Sequence, residues 1–438
     1  MKSRGIFREF TKYTSLNVLG MIGLSCYILA DTFFVALGMG SDGLTALNLA
    51  IPIYNFLHGS GLMVGMGGGI KYSILGGRRG GKTVFTNAIY IAVLLAVIFE
   101  LAGLFFTESI LVLFGAEGVV LDMAGDYLRT LLLFSPAFIA NNLILCFVRN
   151  DGAPQLSMAA MITGSLSNVL LDWVFIFPCG MGMFGAALAT GLAPIISLCI
   201  LSVHFIKKRN GFKPVRTKPE PRLCGGIIAG GVPSLVTEVS SGIVIMVFNA
   251  IILRLEGNTG VAAYGVIANI SLVVIAVYNG IAQGIQPILS RSCGEGRRGD
   301  MAAVLRYALI SMLAVSAAVY ASVFFFTHGI AAVFNSENDA ALQAIAEYGM
   351  KLYFTACPFA GFNVIIAAYF TSTEKAIPAH IISLLRGFAV IIPAAFILSA
   401  VWGMTGVWLA FPVTELLVCA AGALLFFGIS RKQALAAR

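Results

Sequence analysis

The chain has 438 residues, of which 59% are hydrophobic and 11% charged, and its mean hydropathy is +0.93. Ordinary soluble domains are about 45–50% apolar and about 25% charged, so a soluble enzyme, a disordered chain and a coiled coil are excluded. An all-α polytopic membrane protein is implied, and the net charge of +8 then reads as basic loops beside the membrane rather than as nucleic-acid binding.

A spanning helix needs about 20 apolar residues. Apolar runs between charged or Gly/Pro breaks predict twelve spans, at 13–39, 46–74, 84–106, 125–148, 154–178, 183–206, 228–253, 261–289, 301–326, 345–371, 377–401 and 404–429. The first run follows positive charges and is far longer than a signal-peptide core, which predicts an uncleaved first span. No polar stretch is long enough for a separate soluble domain.

Loop charges set the orientation. Lys2, Arg4, Arg8 and Lys12 precede span one, Arg78, Arg79 and Lys82 follow span two, and Lys207, Lys208, Arg209, Lys213, Arg216, Lys218 and Arg222 follow span six. Arg291, Arg297 and Arg298 follow span eight, and Arg431, Lys432 and Arg438 follow span twelve. Loops of the other parity are neutral or acidic, with Asp42; Glu108, Glu117 and Asp122; Arg254 with Glu256; and Glu337 and Asp339. The positive-inside rule then predicts a multi-pass protein of the cell membrane with both termini cytoplasmic.

The sequence repeats at an offset of about 220 residues. Gly77-Arg78-Arg79-Gly80 aligns with Gly296-Arg297-Arg298-Gly299, Phe105-Phe106-Thr107 with Phe325-Phe326-Thr327, Pro136 with Pro358, Asn141 with Asn363, and Gly182-Met183-Phe184-Gly185 with Gly403-Met404-Thr405-Gly406. Six spans per copy place both copies the same way up, so the predicted fold is twelve transmembrane helices in two parallel-repeat six-helix lobes around a central cavity. The predicted organisation is an N-lobe at 1–206, a basic cytoplasmic linker at 207–227 carrying Pro214, Pro219 and Pro221, and a C-lobe at 228–438.

A charge in mid-membrane costs about 2.5–3.5 kcal/mol on insertion scales, so each one needs a reason. Asp31 in span one, Asp172 in span five and Glu238 in span seven stand out, together with Arg386 in span eleven; Glu100 and Glu415 rank lower. Asn168 and Asp172 are four residues apart and share one helix face. An amide oxygen and a carboxylate there form a fair set of cation ligands, which Asp31 on a neighbouring helix would complete. Two carboxylates in apolar surroundings resist joint ionisation, so such a pair can take up a proton or sodium ion and release it when water enters.

Other motifs carry less. Residues 76–83 fit the Walker A pattern, but that loop needs a strand before it and a helix after it, and here it joins two spans. His58-Gly59-Ser60-Gly61 has no partner suited to a serine hydrolase. The eight cysteines, Cys26, Cys146, Cys179, Cys199, Cys224, Cys293, Cys357 and Cys419, form no CxxC pair and read as packing residues. No nucleophile or metal constellation points to an enzyme, and no cofactor is implied.

The chain resembles the multidrug and toxic compound extrusion family over nearly its whole length. The resemblance rests on Asp31-Thr32-Phe33-Phe34-Val35, Arg149-Asn150-Asp151-Gly152-Ala153-Pro154, Asn168-Val169-Leu170-Leu171-Asp172 and Gly185-Ala186-Ala187-Leu188-Ala189-Thr190. In the second half it continues through Gln286-Pro287, Arg386-Gly387 and Gly406-Val407-Trp408. The resemblance implies a proton- or sodium-coupled antiporter, a monomer in the lipid bilayer, exporting amphipathic and often cationic drugs by alternating access. It implies an ion or proton site at Asp31, Asn168, Asp172 and Thr190, with sodium as one candidate ion, and a C-lobe candidate at Glu238, to which the polar Asn363 and Arg386 add. The acid that some branches carry in helix ten has no equivalent between Phe359 and Phe370, and the proline that often bends helix one is absent. The alternative is a flippase of lipids or lipid-linked oligosaccharides within the same larger group. That activity calls for several mid-span cations, where this chain offers Arg386.

Overall fold

The computed structural model describes residues 2–76, 81–335 and 339–436. The sequence features at Gly77 to Gly80, Glu337 and Arg438 lie outside the described residues, as do the side chains of Lys2, Arg4 and Lys432. Among the described residues the chain is helical and contains no strand. The helices are α1 (Lys2–Ile74), α2 (Gly81–Phe105), α3 (Thr107–Leu113), α4 (Gly118–Leu133), α5 (Ser135–Asn150), α6 (Pro154–Ile176), α7 (Gly182–Ile206) and α8 (Pro221–Gly294). They continue as α9 (Arg298–Phe334), α10 (Ala340–Tyr353), α11 (Cys357–Ser372), α12 (Ala376–Leu384) and α13 (Ile391–Ala436). By length and composition, eight helical stretches among the described residues could cross a membrane, and the pair α4 and α5, bent by 49°, makes a ninth.

The longest helices are not rods. A straight α1 would be about 110 Å long, more than three times the hydrocarbon thickness of a bilayer. It folds back at Gly40, whose φ of 65° and ψ of −151° suit only glycine. The hydroxyls of Tyr27 and Tyr54 consequently meet at 2.9 Å. Gly257 turns α8 with a nearly identical φ of 62° and ψ of −153°, stacking Phe248 on Tyr264. Gly403 (φ 56°, ψ −134°) turns α13.

These irregularities repeat as the sequence does. Gly40 has its counterpart in Gly257, and Gly182, at φ 57°, in Gly403. Phe106 leaves helical geometry at φ −124°, ψ 4°, and Phe326 does so at φ −114°, ψ 17°. The bend ahead of Pro136 is matched by the 3₁₀ turn Phe354–Ala356 ahead of Pro358. Proline in a helix's first turn gives up no bond, which is why both bends sit there.

Two apolar cores result. One is built from residues between Val35 and Ile227, with Leu57, Leu128 and Phe147 fully enclosed. The other gathers residues between Phe248 and Val418 around Tyr278, Phe370 and Trp408. The second core also takes in Ile6, Phe10 and Tyr13, because α1 begins well before the predicted residue 13 and its first turns lie against α8 and α9. Phe7 and Phe10 both contact the ring of Tyr307. The irregular part of the linker covers 207–220, since α8 starts at Pro221.

The two halves meet along α1 and α8 through glycines. A Cβ at Gly231 would lie 1.8 Å from the carbonyl oxygen of Met63, and one at Gly67 would lie 1.8 Å from that of Ile227. Such backbone contact is the means by which helices associate in lipid, where no hydrophobic effect drives them together. Polar pairs close the same end. Lys71 pairs with Glu374, and Arg291 donates to both oxygens of Glu9 at 2.8 Å. Arg149 donates to Gln283 at 2.6 Å, while the amides of Asn150 and Gln286 exchange hydrogen bonds of 3.2 and 3.1 Å.

Candidate functional site

Four helices converge on the first site. Asp31 comes from the first arm of α1, Tyr127 from α4, Asn168 and Asp172 from one face of α6, and Thr190 from α7. Asn168 and Asp172 are fully buried, and Asp31, Tyr127 and Thr190 are nearly so. The Asn168 amide sits between two partners. Oriented to satisfy both, its nitrogen donates to Asp172 Oδ2 at 3.0 Å and its oxygen accepts from the Thr190 hydroxyl at 3.2 Å. The first arm of α1 packs along α6, with a Cβ at Gly23 lying 3.6 Å from Ile162 and one at Gly38 lying 2.6 Å from Ile176, which sets Asp31 beside the Asn168 and Asp172 stretch, and α4, which carries Tyr127, packs on both α1 and α7. One oxygen of each carboxylate, Asp31 Oδ1 and Asp172 Oδ1, is buried without a hydrogen-bond partner.

The structure thus brings together all four residues expected in the N-lobe. It adds Tyr127, which the sequence reading passed over. A tyrosine in an apolar run looks like packing, and the one available signal was its place beside Asp126, opposite Glu347-Tyr348 in the repeat.

The second cluster lies among α8, α11, the π-turn that follows α12 and the part of α13 beyond Gly403. Asn363, Arg386 and Glu238 line one cavity of about 100 Å³, with Gln283 and Met66 on its wall. Arg386 sits in the π-turn Leu385–Ala389, a helical irregularity often found at functional positions. Its Nε donates to Glu415 Oε1 at 2.5 Å, and Asn363 Nδ2 donates to Glu415 Oε2 at 2.7 Å. Glu415 was ranked low from sequence; here it is fully buried and is the acceptor on which Arg386 and Asn363 converge. It escaped notice because its partners are 29 and 52 residues away. Asp31, Tyr127, Asn168, Asp172 and Thr190 do not line this cavity, so the two clusters are separate.

The family model named MatE matches residues 18–174 and 233–397, one stretch in each copy of the repeat. The chain belongs to the MatE family. It is therefore a multi-pass membrane transporter of the multidrug and toxic compound extrusion type and not an enzyme. It is 26% identical over 433 residues to the multidrug export protein MepA of Staphylococcus saprophyticus subsp. saprophyticus, covering 98% of this chain and 95% of that protein. MepA of Staphylococcus aureus strain MSSA476 is similar to the same extent. Among solved structures, one described as the outward-facing conformation of a multidrug resistance MATE family transporter superposes with a TM-score of 0.88 at 23% identity, over 98% of this chain and 96% of that one. A MOP superfamily transporter from Pyrococcus furiosus, described as having a binding pocket of reversed polarity, gives 0.86 at 23% identity, again over 98% and 96%. These likenesses establish the fold.

Proposed function

We propose that the protein is a cation-coupled exporter of amphipathic, often cationic drugs, in which Asp31, Asn168, Asp172 and Thr190, with Tyr127, form the coupling site. The observation that carries this reading is the pair of buried carboxylate oxygens with no partner, on Asp31 and Asp172, beside an amide oriented by Thr190. Buried polar atoms are normally satisfied. Two orphaned carboxylate oxygens at one place suit a proton or a sodium ion, and sodium prefers such oxygen donors. The MepA relatives are multidrug export proteins, which supports drugs as the cargo.

In this reading the chain makes twelve passes, each glycine turn of α1, α8 and α13 separating two of them. The halves 1–206 and 228–438 act as lobes joined by 207–227. Both termini face the cytoplasm of the cell, and the protein works as a monomer. The polar pairs and glycine contacts at the basic end hold the cavity shut on the cytoplasmic side. Entry of the ion from outside, driven by about 2.3 kcal/mol per charge per 100 mV, would favour the other lobe arrangement and admit cargo from within. Arg386 does not argue for a flippase, because its charge is matched by Glu415.

The test is efflux of a fluorescent cation from everted vesicles under a pH gradient or a sodium gradient. Asp172→Asn should abolish ion-driven efflux while the protein stays in the membrane at wild-type amount. Unchanged efflux would refute the assignment, and the gradient that energises the wild type identifies the ion.

A further inference from the structure

At the basic end of the second half, away from both clusters, a groove of about 790 Å³ opens on the flank of the bundle between α9, the end of α11 and α13. Its lining includes Arg298, Arg306 and Lys375. None of these three forms an ion pair among the described residues. The acids nearby are committed elsewhere: Glu295 and Asp300 both bind Arg297, and Glu374 binds Lys71. Burial holds the Lys375 ammonium below its ordinary range, with Cys293 opposing the shift and the charge of Arg298 adding to it.

The rest of the groove is lined mainly by apolar side chains. Along α9 the lining residues follow helical spacing from Arg298 through Arg306 to Leu309 and Leu313, so they share one face. Arg306 lies about 12 Å along the axis from Arg298, and Leu313 about 10 Å further. Leu313 is 53% exposed and Ile310 is 54% exposed, on the outside of the bundle. On the opposite wall Phe426 packs edge-on against the Tyr369 ring at 5.6 Å, and the Tyr369 hydroxyl has no partner among the described residues.

From this arrangement we infer that the groove is a binding site for one anionic phospholipid, its phosphate held by Arg298, Arg306 and Lys375 and its acyl chains lying along Leu309, Ile310 and Leu313. A cationic rim continuous with a lipid-facing apolar strip matches an anionic headgroup attached to hydrocarbon, and matches a free phosphate only at the rim. Arginine suits phosphate through its planar fork of donors. The site deepens the transporter reading without depending on drug export or on the coupling ion, and its test reads lipid, not transport.

The experiment is native mass spectrometry of the full-length protein taken from mixed micelles containing equal amounts of phosphatidylglycerol and phosphatidylcholine. Each surface cation is expected to favour the anionic lipid about five-fold, so the wild type should retain phosphatidylglycerol roughly a hundred-fold over phosphatidylcholine. The triple variant Arg298→Gln, Arg306→Gln, Lys375→Gln should lose that preference. Arg306→Lys, which keeps the charge, should retain most of it, and the exposed linker change Lys207→Gln should leave it intact. Equal retention of the two lipids by the wild type overturns the proposal, since the contacts are then those of ordinary surrounding lipid. Undiminished preference in a monodisperse triple variant overturns it, as does displacement of the lipid by millimolar inorganic phosphate.

Discussion

The ion pair buried in the second half makes a quantitative test of how these helices are held. Glu415 has no exposed surface, while the Arg386 side chain retains 16%. Substituting Arg386→Met removes the 2.5 Å partner of Glu415 Oε1 and leaves Asn363 donating to the other oxygen. Breaking a buried pair from one side costs about 3–5 kcal/mol, because the remaining charge is stranded. Glu415→Leu strands the guanidinium instead, but water can reach that group, so a loss of about 1–3 kcal/mol is expected, the cost of an unpaired polar group. The double variant leaves no uncompensated charge and should lose about 1–2 kcal/mol, since hydrophobic replacements of whole pairs are often neutral. The coupling is then roughly 3–6 kcal/mol. Trp408, which is 1% exposed and lies two turns before Glu415 on α13, provides a fluorescence signal for reversible unfolding in mixed detergent. If the two single losses simply add to the double, within about 0.5 kcal/mol, the pair is not coupled and the reasoning fails.

Three further outcomes follow from the geometry. Thr190→Val keeps the shape but removes the hydroxyl that orients Asn168; it should lower the apparent affinity for the coupling ion in efflux assays about ten-fold, the cost of one hydrogen bond to a charged network, with the amount of protein unchanged. Gly231→Val places a branched side chain where a carbonyl oxygen lies 1.8 Å from a Cβ, so the halves cannot close at the basic end; crosslinking between cysteines placed in α1 and α8 there should drop several-fold, and wild-type crosslinking would contradict the contact. Lys71→Gln breaks an exposed pair with Glu374 and should cost no more than about 1 kcal/mol, detectable as a small shift in thermal unfolding that vanishes at high salt.

Hydropathy and loop charge made the membrane class and most spans legible, because lipid imposes length and leaves no alternative to helix. The repeat was legible too, and the backbone repeats it in detail at Gly40 and Gly257. Asn168 with Asp172 could be read because four residues make one helix face. What resisted was anything set by distant partners. Tyr127 joins the first cluster only after α4 packs on α1 and α7, and Glu415 meets Arg386 only because Gly403 turns α13 back and a π-turn re-aims the arginine. The early start of α1 was not legible because its basic first turns look like a solvated arm, whereas Ile6 and Phe10 are buried.

That early start bears on biogenesis. Ile6, Phe10 and Tyr13 leave the ribosome well ahead of the core they complete, whose remaining buried members begin at Phe248. At about 5–20 residues per second, the leading segment waits on the order of 10–50 s for its neighbours. The first helix is in effect a bookmark laid in an unwritten chapter. A chain cut within 207–220 and expressed as two pieces would oblige the trailing piece to recruit its missing apolar plug from the leading one, so assembly of the two would be a folding event and not merely a docking.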